Sequence, residues 1–281
     1  MGVRINTNIE ALNAQRNLSM TSVNFGKSVE KLSSGLRINR AADDAAGLGI
    51  SEKLRGQVRG LNQALRNAQD AISLVQTAEG ALIEVHAMIQ RMRELAVQAV
   101  NGTNSQADRD SIALEASTLW AEISRISGAT KFNGVALLDG TTTSLVFQIG
   151  ATAADSLSVS LTAVTQSGLD SGSAIANFAS STAGAVDSAD ASAAITQLDA
   201  ALVTVSTARG KYGAIQNRFE YTINSLAVSV ENLAASESRI RDLDVAAEMV
   251  NFTKAQILQQ AGTAILAQAN QAPQSVLSLL R

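Results

Sequence analysis

The sequence predicts a mainly α protein made of long antiparallel coiled-coil helices, with a small β-hairpin region in the middle of the chain. Three observations carry this. Of the 281 residues, 46% are apolar but only 3% aromatic, with one proline, Pro273; such cores suit long helices packed side by side. Heptad spacing recurs in two long segments, one on each side of the middle. Both ends of the chain are helical in pattern and almost free of charge.

From Asn8 to Ser33 the apolar positions Ile9, Leu12, Phe25, Val29, Leu32 and Leu36 keep helical spacing, with Asn6 and Thr7 as N-caps. Ser33-Ser34-Gly35 reads as a helix stop and Leu36 to Ala42 as a connector. Asp43 and Asp44 sit where the next helix needs acceptors and negative charge. That helix has its seam at Leu54, Val58, Leu61, Leu65, Ala68, Ile72, Val75, Glu79, Leu82, His86, Ile89, Arg93, Ala96 and Val100. Eleven of these fourteen are apolar, enough to predict a coiled coil. Asn101-Gly102 ends it. Ser105 to Asp108 resembles a capping box for a third helix, with seam positions Ile112, Ala116, Leu119, Ile123 and Ile126 and a stop at Gly128. Trp120, one residue past Leu119, is an aromatic off the expected seam.

Between Lys131 and Arg209 there is no Lys, Arg or Glu. Asn133-Gly134 is a turn dipeptide, and Ser144 to Ile149 and Ser156 to Ala163 alternate as short strands. Gln166 to Asp190 reads as a low-complexity surface loop, so the β and loop excursion spans about 132–190. Heptads resume at Leu198, Leu202, Val205, Tyr212, Phe219, Ile223, Leu226, Val230, Leu233 and Ile240, with Arg209, Gln216 and Glu237 in the remaining seam positions. The last stretch, Ala255 to Arg281, has apolar residues at Leu258, Ala261, Ile265, Ala269, Ala272, Val276 and Leu279, and Arg281 is its only charge. Six Gln and one Asn interrupt it, so it is no membrane span.

Ordering this end costs about 1–2 kcal/mol per residue. Burying a large aliphatic side chain returns only about 1.5–3 kcal/mol, so a lone tail is marginal and packed neighbours are needed. Self-association is the first functional expectation. Chemistry has little to work with: there is no cysteine and a single histidine, His86, so thiol catalysis and a Cys/His metal cluster are excluded. No cofactor is expected. Adjacent Asp43 and Asp44 read better as caps than as a catalytic pair. The net charge of −3 argues against nucleic acid. No apolar signal-peptide core opens the chain, so an extracellular destination requires another export route.

Several motifs resemble bacterial flagellin: Ile5-Asn6-Thr7-Asn8, Leu32-Ser33-Ser34-Gly35-Leu36-Arg37-Ile38-Asn39, Asp43-Asp44-Ala45-Ala46-Gly47 and Glu79-Gly80-Ala81-Leu82. Further along come Arg91-Met92-Arg93-Glu94-Leu95-Ala96, Phe132-Asn133-Gly134, Ala267-Gln268-Ala269-Asn270-Gln271 and Leu277-Ser278-Leu279-Leu280-Arg281. The short middle resembles a flagellin lacking large outer domains. The resemblance implies a secreted, extracellular structural subunit, exported unfolded through the flagellar type III apparatus and polymerising into the filament. The alternative is a hook–filament junction protein, which shares charge-poor helical ends. Residues 1–44 and 240–281 would form the filament-core domain, and 45–239 the surrounding helical bundle with its hairpins. Polymerisation would rest on Ile5, Ile9, Leu12, Leu258, Ile265, Val276, Leu279 and Leu280. Beyond other copies of itself, the implied partners are an export chaperone and cap and junction proteins. Toll-like receptor 5 is a further implied partner, at the matching positions Arg91, Leu95 and Glu115.

Overall fold

The computed structural model describes residues 8–179 and 187–279, with side chains described up to 271. In chain order the elements are α1 (Ile9–Ser34), α2 (Ala45–Val100), α3 (Gln106–Ala129), β1 (Lys131–Phe132), β2 (Val135–Ala136), β3 (Ser144–Gln148), β4 (Ser156–Ser160), α4 (Gln166–Leu169), α5 (Ala174–Phe178), α6 (Ser188–Arg241) and α7 (Val245–Leu279). The chain divides into two compact units: Met1–Val58 with Glu231–Arg281, and Arg59–Val230.

Local chemistry sets the helix limits. Asn8 caps α1, its side chain accepting from the Ala11 amide; Asn6 and Thr7, expected as caps, lie outside the described residues. Gly35 ends α1 in the left-handed region at φ 70°, a conformation glycine adopts without strain. Asp44 accepts from the Gly47 amide at 2.8 Å and so starts α2. Asp43 instead closes the preceding turn, accepting from the Arg40 and Asn39 amides. The Ser105–Asp108 capping box is present. Ser105 holds the Asp108 carboxyl below the ordinary carboxylate range; its stabilising effect is therefore present above the unfolded value and lost as pH falls through the folded one.

In the unit Arg59–Val230, α2 and α6 run antiparallel. Glu79 accepts from Gln216 at 2.9 Å, and Arg93 pairs with Asp199 at 2.6 Å, so positions rise on one helix as they fall on the other. Both seams keep the seven-residue period but differ in phase from expectation. In α2 the buried stripe is Ala64, Ala68, Ala71, Val75, Ala78, Leu82, Val85, Ile89, Met92, Ala96 and Ala99, none more than 1% exposed. Ala68, Val75, Leu82, Ile89 and Ala96 were expected there. Ile72, Glu79, His86, Arg93 and Val100 stand one residue off it, where Glu79 and Arg93 meet α6 with polar pairs. The α6 stripe shifts in the same way: Ala201 and Ala208 replace Leu202 and Arg209 between Leu198, Val205, Tyr212 and Phe219. In α3, Trp120 and Ser127 are buried where Leu119 and Ile126 were expected. In α2 and α6 the reason is physical: the buried series keeps Glu79, Arg93 and Arg209 off the seam, and Ala71, Ala78, Ala201 and Ala208 let the helices approach closely.

The excursion closes this core. Asn133 (φ 48°) and Gly134 (φ 82°) form the two-residue turn of the β1–β2 hairpin, the geometry that Asn-Gly favours. β3 and β4 pair antiparallel from Ser144 opposite Ser160 to Gln148 opposite Ser156. Phe147 meets Phe219 edge-on at 5.8 Å. Asn67 donates to the Gln148 carbonyl at 3.0 Å, tying the hairpin to α2. The expected surface loop from Gln166 is in part a correction: α4 and α5 carry Leu169, Ile175 and Phe178 into the core, each at most 4% exposed. Gln166 also donates to the Trp120 carbonyl at 3.0 Å. Residues 180–186 of that loop lie outside the described residues.

The seam phase is testable by overpacking. Ala71→Leu should lower stability by about 1–3 kcal/mol in urea unfolding, whereas Ile72→Ala, one residue off the seam, should cost less. The reverse order would contradict the observed phase.

Candidate functional site

In the unit Met1–Val58 with Glu231–Arg281, α1 and α7 lie antiparallel, their backbones approaching within 8 Å. Asn8 donates to the Ala269 carbonyl at 2.7 Å, Phe25 stacks on Phe252 at 5.1 Å, and Ser28 donates to Glu248 at 2.6 Å. The facing stripe of α1 is Ala11, Ala14, Leu18, Thr21, Phe25 and Ser28; that of α7 is Glu248, Phe252, Ala255, Gln259, Gly262, Leu266 and Ala269. Both step by three and four without a break. Most of these residues are small, which permits the close approach. Gly262 is a socket: a Cβ there would lie 3.1 Å from Leu18 Cδ1.

Behind this pair the connectors are clamped. Leu36 bridges Asp242 in antiparallel fashion. The Arg37 amide donates to the Arg241 carbonyl at 2.7 Å, and Leu243 donates to Gly35 at 3.0 Å. The Arg37 guanidinium binds the Ile240 carbonyl at 2.5 Å, satisfying a free carbonyl at the end of α6. Arg241 pairs with Glu52 at 2.5 Å. Ile38 is 1% exposed beneath the clamp, and Gly47 leaves room for it, since a Cβ there would meet Ile38 at 2.8 Å.

The pair leaves most of its large aliphatic residues outside. Ile9, Leu12, Met20 and Val23 on α1 are 53–57% exposed. At roughly 100° per residue they fall within about 80° of one another, on the face opposite Leu18 and Phe25. On α7, Val250, Ile257, Leu258 and Ile265 are 49–69% exposed, and Met249, Val250, Thr253, Lys254, Ile257 and Leu258 line an open groove. Completing the burial of these eight side chains would contribute roughly 0.7–1.5 kcal/mol each, about 6–12 kcal/mol together. A surface of this kind needs a partner. Of the expected polymerisation residues, Ile9, Leu12, Leu258 and Ile265 stand on it. Ile5 and Leu280 lie outside the described residues, as do the side chains of Val276 and Leu279. Met20, Val23, Val250 and Ile257 belong to the same surface and were missed, although they repeat at the helical spacing already noted for their neighbours.

A second, smaller feature lies on α2 and α3. Arg91 pairs with Glu115 at 2.9 Å and with Glu94 at 3.0 Å, all three side chains being exposed. Leu95 does not share that surface. It is 2% exposed and packs in the core, so it supports the patch from below. Among the described residues no group of three His, Asp or Glu could hold a metal ion, and no helix is long and apolar enough to cross a membrane.

The model of the bacterial flagellin N-terminal helical region matches residues 5–143, and that of the flagellin C-terminal helical region matches 195–280. The chain belongs to the bacterial flagellin family. It is 51% identical to a flagellin of Halalkalibacterium halodurans, over 99% of both chains. It is 52% identical to a flagellin of Bacillus subtilis, over 99% of this chain and all of that one. Similarity extends to the flagellar filament 33 kDa core protein of Treponema phagedenis, at 49% identity over 99% of each. Among solved structures, the crystal structure of Bacillus cereus flagellin superposes with a TM-score of 0.50 at 34% identity, covering 61% of this chain and 94% of that one. The family is structural and not enzymatic.

The small-residue seam gives a direct test. Gly262→Leu should push α1 from α7 and cost about 1–3 kcal/mol, seen as loss of far-ultraviolet helicity at lower temperature than wild type. Gly262→Ala, whose methyl Leu18 can accommodate by a small shift, should be near neutral. Equal helicity and melting for all three proteins would contradict the seam.

Proposed function

We propose that this flagellin is the repeating subunit of a flagellar filament, and that residues 1–44 and 240–281 form its filament-core domain while 45–239 form the surrounding bundle. The observation that carries the reading is the aliphatic face of the α1–α7 pair, which no described residue of its unit covers. Copies of the same pair are the natural cover, because the face repeats on both helices and carries little charge; Arg16 and Lys254 are among the few charged residues near it. Ile5, Ile9, Leu12, Leu258, Ile265, Val276, Leu279 and Leu280 are the proposed polymerisation residues. The full-length similarity to flagellins and to a filament core protein supports the filament over the hook–filament junction. A putative flagellar hook-associated protein of Vibrio parahaemolyticus shares the fold, with a TM-score of 0.56, but at only 14% identity.

On this reading the chain works outside the cell, delivered by the flagellar export apparatus with the help of an export chaperone and assembled under a cap, with cap and junction proteins as further partners. The absence of cysteine suits an oxidising exterior. Recognition by Toll-like receptor 5 is proposed at the Arg91–Glu115 pair, with Leu95 acting through packing.

Leu258→Asp with Ile265→Asp should abolish filaments after seeding, because two carboxylates on this face are costly to desolvate. Both sites are exposed in the monomer, so its urea unfolding should change by no more than about 0.5 kcal/mol. Filaments at wild-type yield would overturn the reading.

A further inference from the structure

The chain has five methionines and no cysteine, so thioether sulfur is its only sulfur. The methionines divide by environment. Met92 is 0% exposed in the core and Met88 is partly buried against it, whereas Met20 is 53% and Met249 is 46% exposed. Among the described residues, those two are the methionines of the unpartnered aliphatic face. Met20 stands between Leu12 and Val23 on the outer stripe of α1. Met249 opens the groove that Val250, Ile257 and Leu258 continue on α7.

We propose that Met20 and Met249 make self-association sensitive to oxidation: free subunits meeting a peroxide lose the ability to assemble, and assembled subunits are shielded. The inference rests on the assembly reading above. The chemistry is a two-electron oxygen transfer. The thioether sulfur attacks the distal oxygen of the peroxide, the O–O bond breaks, an S–O bond forms, and the remaining oxygen leaves as water after proton transfer. Sulfur is oxidised and peroxide reduced, with no other reactant. The product carries a strong dipole where a flexible apolar side chain had been. Buried between copies without a donor, that dipole opposes association. With no thiol to intercept the oxidant, exposed thioethers are the sulfur groups in its path.

Order of events distinguishes this from general damage. Before assembly both side chains are about half exposed to solvent; once the face is covered they are not. Met92 is closed in either state and serves as an internal control.

The test treats the full chain with hydrogen peroxide as monomer, removes the oxidant, and measures the fraction that sediments after seeding. Peptide mapping follows one added oxygen at each methionine. Met20 and Met249 should be oxidised before Met92, and assembly should fall several-fold. Met20→Leu with Met249→Leu should assemble normally after the same treatment, and methionine sulfoxide reductases acting on the oxidised wild type should restore assembly. Pre-formed filaments should resist oxidation at both positions. Undiminished assembly of chain oxidised at Met20 and Met249 would overturn the inference while leaving the assembly reading intact, as would equal loss in the double leucine variant. Untreated chain that never assembles would overturn the assembly reading itself.

Discussion

Two helices lying side by side can bury only the stripe that each turns toward the other. In α1 and α7 that stripe mixes small residues, Ala11, Ala14, Thr21 and Ser28 on one side and Ala255, Gly262 and Ala269 on the other, with a few large ones, Leu18, Phe25, Phe252 and Leu266. Small residues bring the backbones within 8 Å, but they offer little apolar area. Ile9, Leu12, Val23, Val250, Ile257 and Ile265 are turned outward by the same geometry. The close seam and the greasy exterior are therefore one constraint: a narrow seam holds a few large side chains such as Phe25 and Phe252, and the remaining aliphatic residues are left to bind other copies.

The contrast with the unit Arg59–Val230 shows what a self-sufficient solution looks like. There, Ala71, Ala78, Ala201 and Ala208 also set close approach, but they alternate with Val75, Leu82, Val205, Tyr212 and Phe219. A third helix, two hairpins and the short helices α4 and α5 then cover the remaining sides. That unit has an internal core for most of its large apolar side chains, while among the described residues the α1–α7 pair has a seam and a clamp. The clamp at Arg37, Arg241 and Asp242 consists largely of main-chain hydrogen bonds, so it fixes the connectors without demanding apolar area.

Much of this was legible in the sequence, and the failures have identifiable causes. Helix existence, the seven-residue period, the Asn-Gly hairpin turn and the Ser105 capping box all follow from local chemistry. The phase of the heptads does not, because ranking positions by side-chain size favours Ile72 over Ala71 and Leu202 over Ala201. Asking instead which sevenfold series stays apolar throughout selects Ala71, Ala78, Val85, Met92 and Ala99 over a series containing Glu79, His86 and Arg93, and it explains why those polar residues stand on the flank. That argument does not reach α3, where Ile112, Leu119 and Ile126 form the wholly apolar series and yet Trp120 and Ser127 are buried. Leu169, Ile175 and Phe178 were lost in a segment rich in Ser, Gly and Ala, since helices of four and five residues show no periodicity. The assembly face was half legible: Leu258 and Ile265 stood out for their uncharged surroundings, but nothing local says which of the two faces of a charge-poor helix turns inward.

The central claim is that the outer face of α7 is open in the subunit and covered by other copies. The absence of native cysteine allows a direct measurement: Ile257→Cys introduces the only thiol, at a position 59% exposed. Its rate of reaction with a maleimide should be near that of a free thiol in the monomer and should collapse in sedimented filaments. Equal reactivity in monomer and filament would contradict the claim.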